Sequence, residues 1–156
     1  GKILTKGMNV MDGYYNNPEA SNTVLSPDGW LHTGDLGVLD PDGYLYIKGR
    51  SKSLILGPSG QNIYPEEIED LLNAQPYIAE SLVIEREGKL VALVYPDAEA
   101  MKQNKISREA LLKIIHETRK QINQQIPAYS QIARLEIHDE EFEKTPKRSI
   151  KRFLYQ

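Results

Sequence analysis

Residues 29–69 constrain the fold more than any other stretch, because short apolar runs alternate there with turn-forming residues. Asp40-Pro41-Asp42-Gly43 lies between two such runs, residues 36–39 and 44–48. Proline presets the backbone of a turn and glycine accepts its left-handed exit, so the segment predicts a β-hairpin. Upstream, Gly29-Trp30 turns the chain into Thr33-Gly34-Asp35, which is read as a second tight turn. Downstream, Gly49-Arg50-Ser51-Lys52 forms a junction, and Gly57-Pro58-Ser59-Gly60 runs into Asn62-Ile63-Tyr64-Pro65 and an acidic helix start. Turns and charges set between apolar runs are how a site on a scaffold reads.

The rest of the chain divides around that stretch. Residues 2–6 alternate as a half-buried strand, and Pro18-Glu19 suits the first turn of a short helix ended by Ser26-Pro27-Asp28-Gly29. Residues 1–51 therefore predict a small antiparallel β subdomain with too little apolar surface to stand alone. Beyond it come a short strand at 54–56 and a helix from Pro65, whose Glu66, Glu67 and Glu69 complement the helix dipole while Ile68, Leu71 and Leu72 share a face. A hairpin follows, with strands at 81–85 and 89–95. A long helix begins at Ser107, with Leu111, Leu112, Ile115, Ile122 and Ile126 spaced for one apolar face, and a last strand covers 132–137. Residues 52–156 read as a compact α+β module with a mostly antiparallel sheet, and the boundary falls near residues 50–53. The chain opens as a strand already under way and lacks an initiator Met, which predicts a piece of something longer; a tag remnant on a complete small protein is the alternative.

Composition narrows the function. A net charge of -3 argues against a nonspecific nucleic-acid or anionic-membrane surface. The absence of cysteine removes disulfides and thiolate metal sites, and His32, His116 and His138 lack metal-ligand spacing. No run of roughly eighteen apolar residues occurs, so the expectation is a cytoplasmic protein. Asp35 admits two readings. A turn-forming aspartate is the commoner fate; a carboxylate aimed into a cleft could accept both hydroxyls of a ribose. Arg50 suits a phosphate or a surface ion pair, and Lys52 suits solvent. The loop at 57–60 is not a P-loop, since the Gly-Lys-Ser/Thr ending is missing, and reads as a turn. Lys144, Lys147, Arg148, Lys151 and Arg152 form a basic cluster after the helix-and-strand module.

Taken together the motifs are similar to the C-terminal part of adenylate-forming acyl-activating enzymes, with the nearest likeness to long-chain fatty acid CoA ligases. The resemblance rests on N-V-M-D-G-Y-Y-N-N-P-E-A-S at 9–21, G-W-L-H-T-G-D at 29–35, G-Y-L-Y-I-K-G-R-S-K at 43–52 and G-Q-N-I-Y-P-E-E-I-E at 60–69. It implies that residues 1–51 end a large N-terminal domain and that residues 52–156 form a mobile lid domain. It also implies a fatty acid, ATP with Mg²⁺, and CoA as substrates, with no nucleic acid. The rest of the N-terminal domain is the implied protein partner, and the acyl substrate is the one route to peripheral membrane contact. By resemblance Asp35, Arg50 and Thr33 bind the nucleotide, Lys52 is the hinge, and Ser59, Gly60 and Gln61 line the route of the CoA thiol.

One departure bears on mechanism. The family closes on a Thr-Pro-x-Gly-Lys-Ile-x-Arg motif whose lysine orients carboxylate and phosphate. Here Thr145-Pro146-Lys147-Arg148-Ser149-Ile150-Lys151-Arg152 places Ser149 at the lysine position. On an extended strand Lys147 and Lys151 would share a face on either side of it, and Lys151 is the favoured substitute. Peptide-synthetase adenylation domains differ at 60–69, where Tyr64-Pro65 suits a CoA ligase, and luciferase-like oxidation shares these motifs. A non-catalytic nucleotide-binding or regulatory module, or an adenylate-forming enzyme for another carboxylic acid, are the alternatives. The isolated piece is expected to be inactive.

Overall fold

The computed structural model describes residues 1–156, which divide into two compact units, Gly1–Lys52 and Ser53–Gln156. In the first, β1 (Lys2–Thr5), β2 (Leu31–Leu39) and β3 (Leu45–Arg50) form an antiparallel sheet in the order β1-β2-β3. α1 (Pro18–Val24) starts at Asn17, whose side chain accepts from the Ala20 N–H at 3.0 Å, with Pro18 in the first turn where its missing N–H costs nothing. The hairpin bend at 40–43 is tied by Asp40, whose carboxylate takes the N–H of Asp42 at 3.0 Å and of Tyr44 at 2.8 Å. β2 is longer than the sequence suggested. It runs through Thr33, Gly34 and Asp35, so these residues lie in a strand rather than in a tight turn. What resembled turn chemistry is Gly34 at φ +80, a kink inside the strand. At Gly37 a Cβ would sit 2.8 Å from the Tyr46 carbonyl oxygen and 2.9 Å from Ile3, so only glycine lets β3 approach there.

The second unit is α+β. β4 (Ile55–Leu56) and β5 (Asn62–Ile63) form a two-stranded ribbon, and α2 (Pro65–Asn73) follows. β6 (Ile78–Arg86) and β7 (Lys89–Pro96) are joined by Glu87 and Gly88, both left-handed at φ +53 and +72, the backbone that matches strand twist in a two-residue hairpin. α3 (Ala98–Gln103) and α4 (Arg108–Gln125) then cross over, which lets β8 (Ile132–Ile137) pair parallel to β7. Ser107 caps α4 by accepting the Ala110 N–H at 3.1 Å. Of the residues expected on its apolar face, Leu111, Ile115 and Ile122 are buried, whereas Leu112 is 50% exposed. The missed elements, α3 and β5, are too short to show a period.

β7 is central and covered on both faces. Val83, Leu90, Ala92 and Val94 pack with Ile68, Leu72, Leu111 and Ile115 from α2 and α4. Leu82, Ile84, Val91 and Leu93 pack on the other side with Phe142, Ile150 and Tyr155 of the C-terminal tail. That explains why residues 89–95 read as a nearly continuous apolar run.

The tail is fastened to α2 through Glu69 and Arg152. Glu69 is buried, 7% exposed, and accepts the Val83 N–H at 2.7 Å and the Arg152 guanidinium at 2.5 Å. Arg152 also donates to the Val83 carbonyl at 3.3 Å and lies 3.7 Å from Glu66. Burial pushes the Glu69 carboxyl above its usual value, and the Arg152 charge and the Val83 N–H offset this only in part. Stability linked to Glu69 is therefore full below the ordinary carboxylate range and is lost as pH rises through the raised value. Arg152→Met is expected to cost about 3–5 kcal/mol at pH 7, because an unpaired carboxylate is left buried. The deficit should shrink at acid pH, where Glu69 takes a proton. Denaturant unfolding at the two pH values checks this; an equal deficit at both would contradict it.

Candidate functional site

Thr33, Asp35 and Arg50 come together in the first unit. Asp35 and Arg50 are register partners across β2 and β3, and the Arg50 guanidinium meets Asp35 Oδ1 at 2.5 Å. A bulge between Leu36 and Gly37 adjusts the ladder next to them. The Arg50 side chain is 61% exposed and that of Asp35 27%, so the pair orients the carboxylate without burying it. Thr33 Oγ1 donates to the Ile3 carbonyl at 2.9 Å and accepts the Asp35 N–H at 3.1 Å. Its hydroxyl hydrogen is thus taken up within the sheet, and Thr33 serves to fix Asp35. The Ser51 N–H closes the site by donating to the Gly34 carbonyl at 2.8 Å.

A cleft of about 340 Å³ opens beside this pair, lined by Lys2, Leu4, Val24, His32, Asp35 and Lys52 among others. Its size is at the lower end for small-molecule sites. An oriented carboxylate, an imidazole and two ammonium groups on apolar walls suit a polar ring with vicinal hydroxyls. No cluster of three or more His, Asp or Glu side chains is placed to hold a metal ion.

Ser59, Gly60 and Gln61 lie in the bend between β4 and β5. The Gly60 N–H donates to the Gly57 carbonyl at 2.9 Å, the Gly57 N–H to the Gln61 carbonyl at 2.8 Å, and the Ser59 N–H to Gln61 Oε1 at 3.2 Å. The loop is a hairpin turn, and Gly60 takes the left-handed position at φ +80. It borders a second, mainly apolar cleft of about 660 Å³ whose lining includes Leu56, Pro58, Gln61 and Tyr129.

The tail corrects one expectation. Lys147 and Lys151 do not share the face of an extended strand, because residues 145–149 form a turn. The Arg148 N–H donates to the Thr145 carbonyl and the Thr145 N–H to the Ser149 carbonyl, both at 2.8 Å, while Lys144 and Ile150 pair across the neck. Lys147, Arg148 and Ser149 are exposed at the tip. Lys151 sits in the neck, its Nζ 3.1 Å from Glu143.

Sequence reasoning missed the buried Glu69–Arg152 pair. The signal was available: Glu69 stands three residues before Leu72 and next to Ile68, on the buried face of α2, where a solvated acid does not belong. The His138–Phe142–Tyr155 ring cluster, with centroids 4.9–5.4 Å apart, gave no such signal, because these residues lie on loop and tail.

Comparison with known proteins gives the family of the second unit. The family described as AMP-binding enzyme C-terminal domain matches residues 52–155. An indoleacetate–CoA ligase from Aromatoleum aromaticum is 49% identical over 98 residues, 60% of this chain and 19% of that protein. A 2-succinylbenzoate–CoA ligase from Bacillus cereus is 40% identical over 117 residues, 75% of this chain and 24% of that protein. The chain thus spans a quarter or less of these relatives' length. Among solved structures, O-succinylbenzoate coenzyme A synthetase from Bacillus subtilis, in complex with AMP, superposes with a TM-score of 0.76 at 28% identity, covering 100% of this chain and 30% of that one. The adenylation domain of a carboxylate reductase from Mycobacterium chelonae shares the fold, with a TM-score of 0.83 at 23% identity over 99% of this chain and 25% of that one.

Because Asp35 and Arg50 pair in solvent, their ion pair contributes little to folding. Asp35→Asn and Arg50→Gln are each expected to change the unfolding free energy by no more than about 1 kcal/mol. Urea midpoints of the two variants check this, and a larger loss would make the pair a structural element instead.

Proposed function

Since the chain belongs to the AMP-binding enzyme C-terminal domain family over residues 52–155, we propose that it is the C-terminal part of an AMP-forming acid–CoA ligase. In this reading a carboxylic acid and ATP give an acyl-adenylate and pyrophosphate, and the CoA thiol then displaces AMP. The observation that carries the proposal is the Asp35 carboxylate, held by Arg50 on a backbone that the Thr33 hydroxyl pins, at the edge of a cleft sized for a sugar ring. Asp35 accepts the ribose hydroxyls, Arg50 contacts the same nucleotide, and Thr33 positions Asp35. Lys52 is the residue about which the second unit turns between the half-reactions, and Ser59, Gly60 and Gln61 border the thiol's route. A change of pose removes a conflict, since charge that assists pyrophosphate departure would obstruct the thiol. Mg²⁺ accompanies the triphosphate and offsets its charge.

The hairpin of β2 and β3 supports the view that further sequence packs on the first unit. Leu39, Tyr44 and Ile47 are 67%, 68% and 69% exposed, an apolar face that a free domain seldom presents. For the acid, the motif likeness to fatty acid ligases favours a long acyl chain. An aryl or aryl-acetic acid is the second reading, favoured by the indoleacetate and 2-succinylbenzoate ligases among the relatives.

ATP–pyrophosphate exchange on the complete protein, with fatty acids of graded length and a set of aryl acids, separates these readings. Exchange confined to long fatty acids is expected. Exchange with aryl acids alone would establish the second reading, and none with any acid would favour a nucleotide-binding module without turnover. In the active protein Asp35→Ala should raise the KM for ATP about ten- to hundredfold through the lost ribose hydrogen bonds; an unchanged KM would remove Asp35 from the site.

A further inference from the structure

The Arg50 guanidinium has two anchors, and both lie within the first unit. Its Nη1 meets Asp35 Oδ1 at 2.5 Å and donates to the Thr33 carbonyl at 3.4 Å. It lies over Gly34, where a side chain would begin 3.5 Å from Arg50 Nη2. The other side of the guanidinium is open, since the Arg50 side chain is 61% exposed. An ion pair this accessible to water is held weakly and exchanges partners readily.

Asp35 faces two ways. Its carboxylate takes part in the lining of the 340 Å³ cleft, yet Oδ1 is engaged by Arg50. A carboxylate holds a pair of vicinal hydroxyls best when each oxygen accepts one of them. A charged donor on Oδ1 draws on the same lone pairs, so the diol and the guanidinium compete for that oxygen. The backbone does not depend on the pair: Thr33 Oγ1 accepts the Asp35 N–H at 3.1 Å, and the Ser51 N–H donates to the Gly34 carbonyl at 2.8 Å. Arg50 can therefore let go while Asp35 stays in place. Lys2 and Lys52 line the same cleft, and Asp35 is its one carboxylate, so the cleft favours a ligand that carries negative charge.

We propose that the Asp35–Arg50 pair is a latch that makes the site select a 5′-phosphorylated nucleoside over the bare nucleoside; this rests on the reading of the cleft as a nucleotide site. A phosphate offers the guanidinium fork two oxygens and more charge than one carboxylate oxygen does. Arg50 then passes from Asp35 to the phosphate, and both Asp35 oxygens turn to the ribose. A nucleoside brings no anion for Arg50 and has to open the pair unaided. No covalent bond changes; one ion pair is exchanged for another. The closed latch also keeps Asp35 charge-matched while the cleft is empty.

The test is calorimetric titration of the complete protein with adenosine and with AMP, in the wild type and in Arg50→Gln. Arg50→Gln should bind adenosine about two- to fivefold more tightly, the range set by opening an exposed ion pair. It should bind AMP about tenfold or more weakly, through loss of a charge-assisted contact. In the wild type, adenosine affinity should rise between about 0.02 and 0.5 M NaCl as salt screens the pair, and in Arg50→Gln it should stay flat. A purely structural role for Arg50 would weaken both ligands alike and would leave no such salt dependence. Adenosine bound no more tightly by Arg50→Gln, or AMP bound no less tightly, would overturn the latch. A folded wild type that binds neither AMP nor adenosine would instead overturn the nucleotide reading of the cleft, and the latch with it.

Discussion

The second unit depends on the burial of β7 from both sides. Leu90, Ala92 and Val94 face the helices, and Val91 and Leu93 face away from them, each at 5% exposure or less. A strand with two apolar faces cannot leave one of them to water, and the helices can cover only one. The other face is closed by the tail, through Phe142 at 2% exposure together with Ile150 and Tyr155. Burying one phenylalanine in this way is worth roughly 2–3 kcal/mol, so the tail is held by the same effect that forms the core. Apolar contact has little direction, however, and would tolerate a tail shifted along the sheet. Polar contacts set the register: Arg152 on Glu69, Lys151 N–H on the Glu143 carbonyl, and the Tyr155 hydroxyl accepting the Glu143 N–H at 2.8 Å. Burial decides that the tail lies on the sheet, and the hydrogen bonds decide which residues stand at its turn.

The first unit reaches its arrangement by a different route. Its polar group is carried on two paired strands, so strand register alone brings Asp35 opposite Arg50. Gly37 and the neighbouring bulge let the strands approach closely just beyond the pair, and Gly34 kinks β2 just before it. The ion pair adds little stability, and its effect is to hold one rotamer of a carboxylate beside a cleft. In the second unit the Glu69–Arg152 contact is buried and fixes position; in the first the Asp35–Arg50 pair is open and orients a group that can still exchange partners.

Much of this was legible in the sequence because it rests on local chemistry. Ser107 announced α4, Pro65 and the acids after it announced α2, and the bends at 40–43 and 87–88 are glycine-bearing turns. Thr33-Gly34-Asp35 was misread because a left-handed glycine inside a strand has the same composition as a turn. The extended tail was misread because alternation of Lys147 and Lys151 is equally compatible with a hairpin when the pairing partner, residues 143–145, is itself nearby in sequence. Leu112 was placed inside because a window of helical spacing cannot choose between adjacent leucines; the sheet on one side of α4 makes the choice. Glu69 was legible only in part. Its place on the buried face follows from α2, but its partner lies 83 residues away, and no local rule links the two.

The tail's two departures from its family motif are better understood as one. Whatever occupies position 148, the turn's hydrogen bonds from Arg148 to Thr145 and from Thr145 to Ser149 require a left-handed residue there. The usual glycine meets that demand without strain and leaves the charge to the next residue. Arginine followed by serine keeps the same backbone, accepts about 1 kcal/mol of strain and moves the charge one residue earlier. In the neck the Lys151 ammonium lies 3.1 Å from Glu143, and the 3₁₀ turn at Arg152–Leu154 follows at once. The backbone of the turn therefore fixes where position 148 stands, and the residue chosen there sets only the charge that the tip carries.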